Sequence, residues 1–201
     1  MTGTSRPLDG AAPGRRADGG GRTLRVAPLA AADRARVEEI LRATAVFRDD
    51  EVEVALELFD VTYGAGNRES GVGSSGASPP DSPLPAPDYE FVGAFTQSDL
   101  LVGYACYGPT PATDRTYDLY WIAVDPAAQG SGAGTRLLAE VERRLRDARG
   151  RLLVVETSSR VEYDATRGFY TARGYEEAAR VGHFYAPGDD RVIYTKRLGL
   201  S

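Results

Sequence analysis

The sequence predicts a single domain of the α/β (α+β) class, a mixed sheet with helices on both faces. Three observations predict it. The C-terminal half alternates as strand, helix, strand, helix, strand, strand. A strongly aromatic and β-branched strand runs into a long amphipathic helix. Two segments poor in large apolar side chains can be set aside, leaving roughly 150 residues, the size of one compact domain. Those segments are residues 1–22, with six glycines, and residues 64–88, with five Gly, five Ser and five Pro. Neither can bury enough apolar area to offset the entropy of ordering. The first reads as a disordered tail. The second reads as a flexible insertion within a single domain spanning 23–201.

The elements follow from periodicity and punctuation. Thr23–Ala27 reads as a first short strand. In 33–46, Val37, Ile40 and Leu41 share a helical face. Asp49 or Asp50 can cap a second helix, in which Val52, Ala55, Leu56 and Phe59 recur at helical spacing. Its other side carries Glu53, Glu57 and Asp60, a solvated face by the simplest reading. Tyr89–Thr96 and Leu100–Tyr107 read as strands joined by Gln97-Ser98-Asp99. Thr116–Val124 reads as a buried strand stopped by Asp125-Pro126.

The helix over 132–149 lines one face with Leu137, Leu138, Val141, Leu145 and Ala148. Glu140 with Arg144, and Glu142 with Arg146, have ion-pair spacing on the opposite face. Gly150 ends this helix. Arg151–Thr157 is the next strand, 162–173 a helix closed by Gly174, and 175–183 and 191–198 two strands about the turn Ala186–Asp190.

Composition narrows the function. The net charge of −5 argues against a general nucleic-acid binder. One cysteine and one histidine leave little for a disulfide or a metal site, so no metal is expected. No apolar run approaches the ~20 residues that span a bilayer, and the N-terminus has no apolar signal segment. The expectation is a cytoplasmic protein without membrane partners. Lys196 is the sole lysine, a usage expected of a GC-rich, bacterial genome.

The most informative segment joins the buried strand to the long helix: Gln129-Gly130-Ser131-Gly132-Ala133-Gly134. Glycines allow close backbone approach, and the first amides of a helix have no intrahelical partner. With the helix dipole they make a site for a phosphate or pyrophosphate, or else a tight turn that binds nothing. The loop lacks the lysine of a nucleotide P-loop. Thr135 stands where the dinucleotide pattern needs its third glycine.

The pattern Gln-x-x-Gly-x-Gly resembles the coenzyme A loop of the GCN5-related N-acetyltransferase (GNAT) family. The segment Phe169-Tyr170-Thr171-Ala172-Arg173-Gly174-Tyr175 is similar to that family's Phe-Tyr-x-x-x-Gly-Phe/Tyr signature. The strand and helix around the loop also fall where the family has them, so the resemblance covers nearly the whole chain outside the two set-aside segments. It implies a largely antiparallel central sheet of the acyl-CoA N-acyltransferase fold. It also implies acetyl-CoA as acyl-donor cosubstrate and direct attack by an amine. A small-molecule amine is the expected acceptor, ahead of a protein amine, and a homodimer is compatible with it. The alternative is a non-catalytic acyl-CoA sensor on the same fold.

Under the resemblance, Tyr170 is the expected acid for the leaving thiolate; its phenol's ordinary pKa of about 10 suits it. By its residues alone it reads as a half-buried core tyrosine with its hydroxyl on a backbone carbonyl. Asp118 is the candidate base, read as sharing a face with Tyr120, Ile122 and Val124, or else an ordinary edge aspartate. Tyr120 and Glu156 are further candidate acceptor contacts. Backbone groups of Ile122, Ala123 and Val124 would meet the pantetheine. Gln129, Gly130, Ser131, Gly132, Ala133 and Gly134 would cradle the pyrophosphate, with Thr135 adding a hydroxyl. Ser158 is a further coenzyme contact; Arg160 reads as a solvated loop residue. The Glu53, Glu57, Asp60 stripe would border the acceptor groove. Cys106 reads as a buried structural thiol and His183 as a surface or cap histidine.

Overall fold

A computed structural model describes residues 23–64 and 89–199. The N-terminal tail over 1–22 and the insertion, apart from Gly64, lie outside the described residues. The elements are β1 (Arg25–Pro28), α1 (Arg34–Ala43), α2 (Asp49–Gly64), β2 (Glu90–Phe95), β3 (Leu101–Pro109), β4 (Thr116–Val124), α3 (Ala133–Asp147), β5 (Leu152–Ser158), α4 (Asp164–Thr171), β6 (Glu176–Ala186) and β7 (Asp189–Arg197). They form one seven-stranded sheet in the order β1-β2-β3-β4-β5-β7-β6. All neighbours are antiparallel except β4 and β5, which are parallel and joined through α3. The predicted mixed sheet is observed, with boundaries within a few residues except at the last hairpin, where β6 runs on to Ala186.

Two apolar layers sandwich the sheet. On one face Val37, Ile40 and Leu41 of α1 and Val52, Leu56 and Phe59 of α2 pack on Phe91, Tyr104 and Cys106. On the other face Leu137, Leu138, Val141 and Leu145 of α3, with Tyr170 of α4, pack on Leu119, Leu153 and Val155. Cys106 is fully buried, and burial pushes its thiol pKa up. Among the described residues, no helix is long and apolar enough to cross a membrane.

Two sequence readings need correction. Glu142 does not lie on the solvent face of α3. It is 6% exposed, paired with Arg146 and Lys196 and accepting from the Tyr175 hydroxyl. A tertiary partner from β7 makes this burial tolerable, and no i,i+4 rule could report it.

The residue that turns the chain out of α3 is Arg149, left-handed at φ 59°, rather than Gly150. Gly150 supplies closeness instead. Its amide donates to Leu145 O at 2.6 Å, and a Cβ there would stand 2.9 Å from that same oxygen and 3.2 Å from the Tyr117 ring. Gly150→Ala is therefore expected to lower stability by about 1–3 kcal/mol through overpacking. Urea denaturation would measure it, and an unchanged midpoint would contradict the close approach.

Candidate active site

The site begins where β4 and β5 part. Their parallel pairing runs from Thr116–Leu152 to Leu119–Val155 and stops. Both strands continue, β4 to Val124 against β3 and β5 to Ser158 against β7. The facing edges beyond Leu119 and Val155 thus have no sheet partner in one another, which leaves main-chain polar groups free for a ligand.

A β-bulge in β4 accompanies the split. Cys106 pairs with Trp121 and Tyr107 with Leu119, so Tyr120 is the extra residue. It shifts the side-chain phase. Tyr120, Trp121 and Ala123 pack toward α1 and α2, whereas Ile122 and Val124 pack toward α3. Asp118 therefore does not share a face with Ile122 and Val124 as strict alternation predicts. It opens on the α1–α2 side together with Tyr120 and Trp121.

Two adjoining cavities result. The inner cleft, about 210 Å³, lies in the split and is lined by Tyr120 to Val124, Gln129, Val155 to Thr157, Tyr163, Thr166 and Tyr170. The outer groove, about 390 Å³, is lined by Phe47, Arg48 and Glu51, by Asp118 to Trp121, and by β5 and the β6–β7 hairpin. They share Phe47, Leu119, Tyr120, Trp121, Glu156, Thr157 and Tyr163. Ile122, Ala123, Val124, Gln129 and Tyr170 thus meet in the cleft, while Asp118 and Ser158 line the groove.

Tyr170 is held from several sides. Gly174, left-handed at φ 78°, closes α4, and Tyr175 N donates back to Tyr170 O at 3.2 Å, the helix-ending pattern that brings the two rings together. They lie 5.4 Å apart, with Phe169 and Tyr194 completing the cluster. Tyr170 is 2% exposed, and burial pushes its phenol pKa well above the usual value. It is a protonated donor at neutral pH.

The glycine-rich turn reaches the cleft through Gln129, whereas Gly130 to Thr135 line neither cavity. Asp125 caps the short turn Pro126–Ala128 by accepting from Ala127 N at 2.8 Å. Arg36 of α1 binds the same carboxylate and donates to Leu101 O at 3.0 Å. The Ala127 amide first, and Arg36 after it, hold the Asp125 carboxyl below its ordinary range against the opposing effect of desolvation. Gly130 (φ 76°) and Gly132 (φ 83°) are both left-handed, and a Cβ on either would meet only open space. The glycines there serve the backbone's turn. Among the described residues, no acceptor meets the amides of Gly132, Ala133, Gly134 and Thr135 at the start of α3.

Two buried hydroxyls, Ser131 Oγ in this turn and Thr157 Oγ1 in the cleft wall, also lack partners among the described residues. Buried polar groups rarely go unpaired. An anion with an amide- and hydroxyl-bearing chain would satisfy both sets, so the site fits a coenzyme A thioester. The Thr135 hydroxyl accepts from Arg173 at 2.5 Å, which leaves its own proton to donate. Ser158 is likewise engaged, donating to Asp189 at 2.5 Å and accepting from Arg160 N.

The groove contains four carboxylates. Glu51 is 3.9 Å from Arg48, Asp189 is 3.5 Å from Arg160, and Glu156 pairs with Arg191. Among the described residues, Asp118 has no arginine partner; it accepts only from Thr110 Oγ1 at 2.7 Å. It is the carboxylate best placed to attract a cation. Burial first, and Asp118 second, push the Tyr120 phenol up to about 12.

The Glu53, Glu57, Asp60 stripe does not line the groove, and Asp60 is taken by Arg34 at 2.6 Å. His183 does not line it either; its Nδ1 accepts from Gly188 N at 2.7 Å. Sequence reasoning passed over Phe47, Glu51, Thr157, Tyr163 and Tyr185. Nothing local signals them, since each reaches the site through sheet order or a loop.

Comparison with known proteins follows the same geometry. The acetyltransferase (GNAT) domain model matches residues 87–177. The N-alpha-acetyltransferase RimI of Mycobacterium tuberculosis is 36% identical over 105 residues, covering 51% of this chain and 61% of that protein. The chain thus spans less than two thirds of that relative's length. A GNAT-family protein of Desulfovibrio desulfuricans superposes with a TM-score of 0.72 at 38% identity, covering 88% of this chain and 100% of that one. A Salmonella typhimurium protein solved with its cofactor acetyl-CoA shares the fold at 17% identity, with a TM-score of 0.63 over 88% of this chain and 95% of the other.

Proposed function

Because the chain belongs to the GNAT family of acetyltransferases, we propose that it moves an acetyl group from acetyl-CoA to the amine of a small molecule, with protein amines as the second class. The parting of β4 from β5 carries this reading. It opens a cleft that runs from Gln129, at the start of the glycine turn, to Tyr170 and adjoins a groove with an unbalanced carboxylate.

The cosubstrate supplies an acetyl group activated as a thioester. The amides from Gly132 to Thr135 would hold its phosphates, and Ser131 would add a hydroxyl. The free backbone edge of Ile122 to Val124 would bind the amide-bearing arm, with Gln129 at the turn. A main-chain amide in the split would polarise the reacting carbonyl. Asp118 would draw the acceptor's ammonium into the groove, and the aromatic walls of Tyr120, Trp121 and Tyr163 would hold the rest of it. Tyr170 would protonate the departing sulfur. Its opening on the cleft favours a transferase over a sensing module.

The test is thiol release from acetyl-CoA across a panel of amino acids, polyamines, aminoglycosides and short peptides. Turnover with one class is expected and would name the acceptor chemistry. Failure to bind acetyl-CoA by calorimetry would contradict the reading of Gln129 to Gly134. The relative's name, an N-alpha-acetyltransferase, gives α-amines the first place in the panel.

A further inference from the structure

We propose, on the transferase reading above, that the acceptor is a linear aliphatic diamine or polyamine, and that Asp118 holds the ammonium that does not react. The charge balance of the groove points there. Four carboxylates and three arginines line it. Three of the carboxylates are matched. Glu51 lies 3.9 Å from Arg48 and accepts from the Arg48 amide at 2.8 Å. Asp189 lies 3.5 Å from Arg160 and accepts from Ser158 Oγ at 2.5 Å. Glu156 pairs with Arg191 and accepts from Tyr185 Oη at 2.5 Å. Arg48 also holds Asp50, at 3.0 Å, so no arginine of the groove is left over for a carboxylate on the acceptor. Asp118 is the unmatched group. Its Oδ2 accepts from Thr110 Oγ1, and among the described residues nothing donates to its Oδ1. A lining with one excess negative charge favours an acceptor with an extra cation over a zwitterion.

Position separates that cation from the attacking nitrogen. Reaction needs the nitrogen in the inner cleft, onto which Tyr170 opens, and Asp118 does not line the cleft. Asp118 pairs with Val154, one step before the strands part after Leu119 and Val155. The first β4 residue past that point is Tyr120, two residues on and roughly 6–7 Å along the strand. Two nitrogens that far apart are joined by about four or five carbons. The wall between them suits such a chain. Leu119, Tyr120 and Trp121 line both cavities. The bulge at Tyr120 sets two consecutive rings on the side of the sheet where Asp118 opens. Apolar and aromatic surface of this kind covers methylenes better than a hydroxylated aminosugar ring, and the ring faces attract an ammonium group.

The chemistry balances with Asp118 as a binding group only. The nearer nitrogen, neutral as it attacks, bonds the acetyl carbon as the carbon–sulfur bond breaks. That nitrogen loses a proton to solvent. Tyr170 protonates the sulfur and regains its proton from solvent. The distal ammonium stays protonated on Asp118 throughout. The products are coenzyme A and a monoacetylated amine that keeps one positive charge.

The test measures thiol release from acetyl-CoA with 1,3-diaminopropane through 1,6-diaminohexane, and with the alkyl monoamines and ω-amino acids of the same lengths. Wild type is expected to favour the best diamine over its matching monoamine by about 10–100-fold in kcat/KM, and the ω-amino acid is expected to be the poorest of the three. Asp118→Asn is expected to bring the diamine-to-monoamine ratio close to one, chiefly through KM, with calorimetric acetyl-CoA binding retained. Asp118→Glu is expected to keep the preference and move its optimum to a shorter diamine, because the carboxylate reaches further into the groove. A merely structural role for Asp118 would move neither the ratio nor the optimum. A wild-type ratio near one overturns the proposal, and that measurement decides even if a variant fails to fold. So does a ratio that survives in Asp118→Asn, or a short peptide acetylated faster than every diamine. A wild type that binds acetyl-CoA but acetylates no amine overturns the transferase reading itself.

Discussion

Tyr170→Phe is expected to reduce turnover about 100-fold, some 2.7 kcal/mol of barrier, while leaving acetyl-CoA affinity and melting temperature near wild type. The separation follows from how the ring is held. Phe169, Tyr175 and Tyr194 pack on its faces and edges, and phenylalanine keeps all of that contact. The hydroxyl makes no hydrogen bond to another described residue, so its removal leaves no buried partner unsatisfied. What is lost is a proton donor facing the cleft. Single-turnover thiol release, calorimetry and thermal melting together give the answer. If binding falls as far as turnover, the phenol positions the cosubstrate and some other group protonates the sulfur.

Lys196→Met is expected to cost about 3 kcal/mol of stability, lowering the melting temperature by roughly 10 °C. The sole lysine spans from β7 to α3, with Nζ 2.8 and 2.9 Å from the two Glu142 oxygens. Glu142 sits under Tyr175 within the α3 layer. Removing the lysine leaves that carboxylate with Arg146 of its own helix as its one cation among the described residues, beside the Tyr175 hydroxyl. Methionine preserves most of the aliphatic stem, so the loss reports charge rather than packing. Glu142→Gln placed on top should recover part of the stability, since the uncompensated charge is then gone. A loss below about 1 kcal/mol would show that the pair behaves as an exposed one.

These two predictions differ in how far the sequence reached. Tyr170 was legible because an aromatic pair followed by a glycine four residues later is a local pattern, and the left-handed Gly174 that closes α4 is dictated by local sterics. Glu142 was not, because its partner lies 54 residues away and the i,i+4 spacing to Arg146 describes a solvated helix equally well.

By itself the sequence determined the element order, the apolar stripes of α1, α2 and α3, and the glycine turn with its unpaired helix amides. These are properties of periods of two and 3.6 and of backbone freedom. The cosubstrate class followed from that turn through its family resemblance. Only the tertiary structure decided the placement of the carboxylates. Strict alternation put Asp118 on one line with Ile122 and Val124. The bulge at Tyr120 broke that line, and such a bulge depends on pairing with β3, which no single strand encodes. The parallel register then set Glu156 beside the split, and the irregular edge hairpin brought Tyr185 to it. Side-chain identity is local, but the distance between two strands that part is a property of the whole sheet.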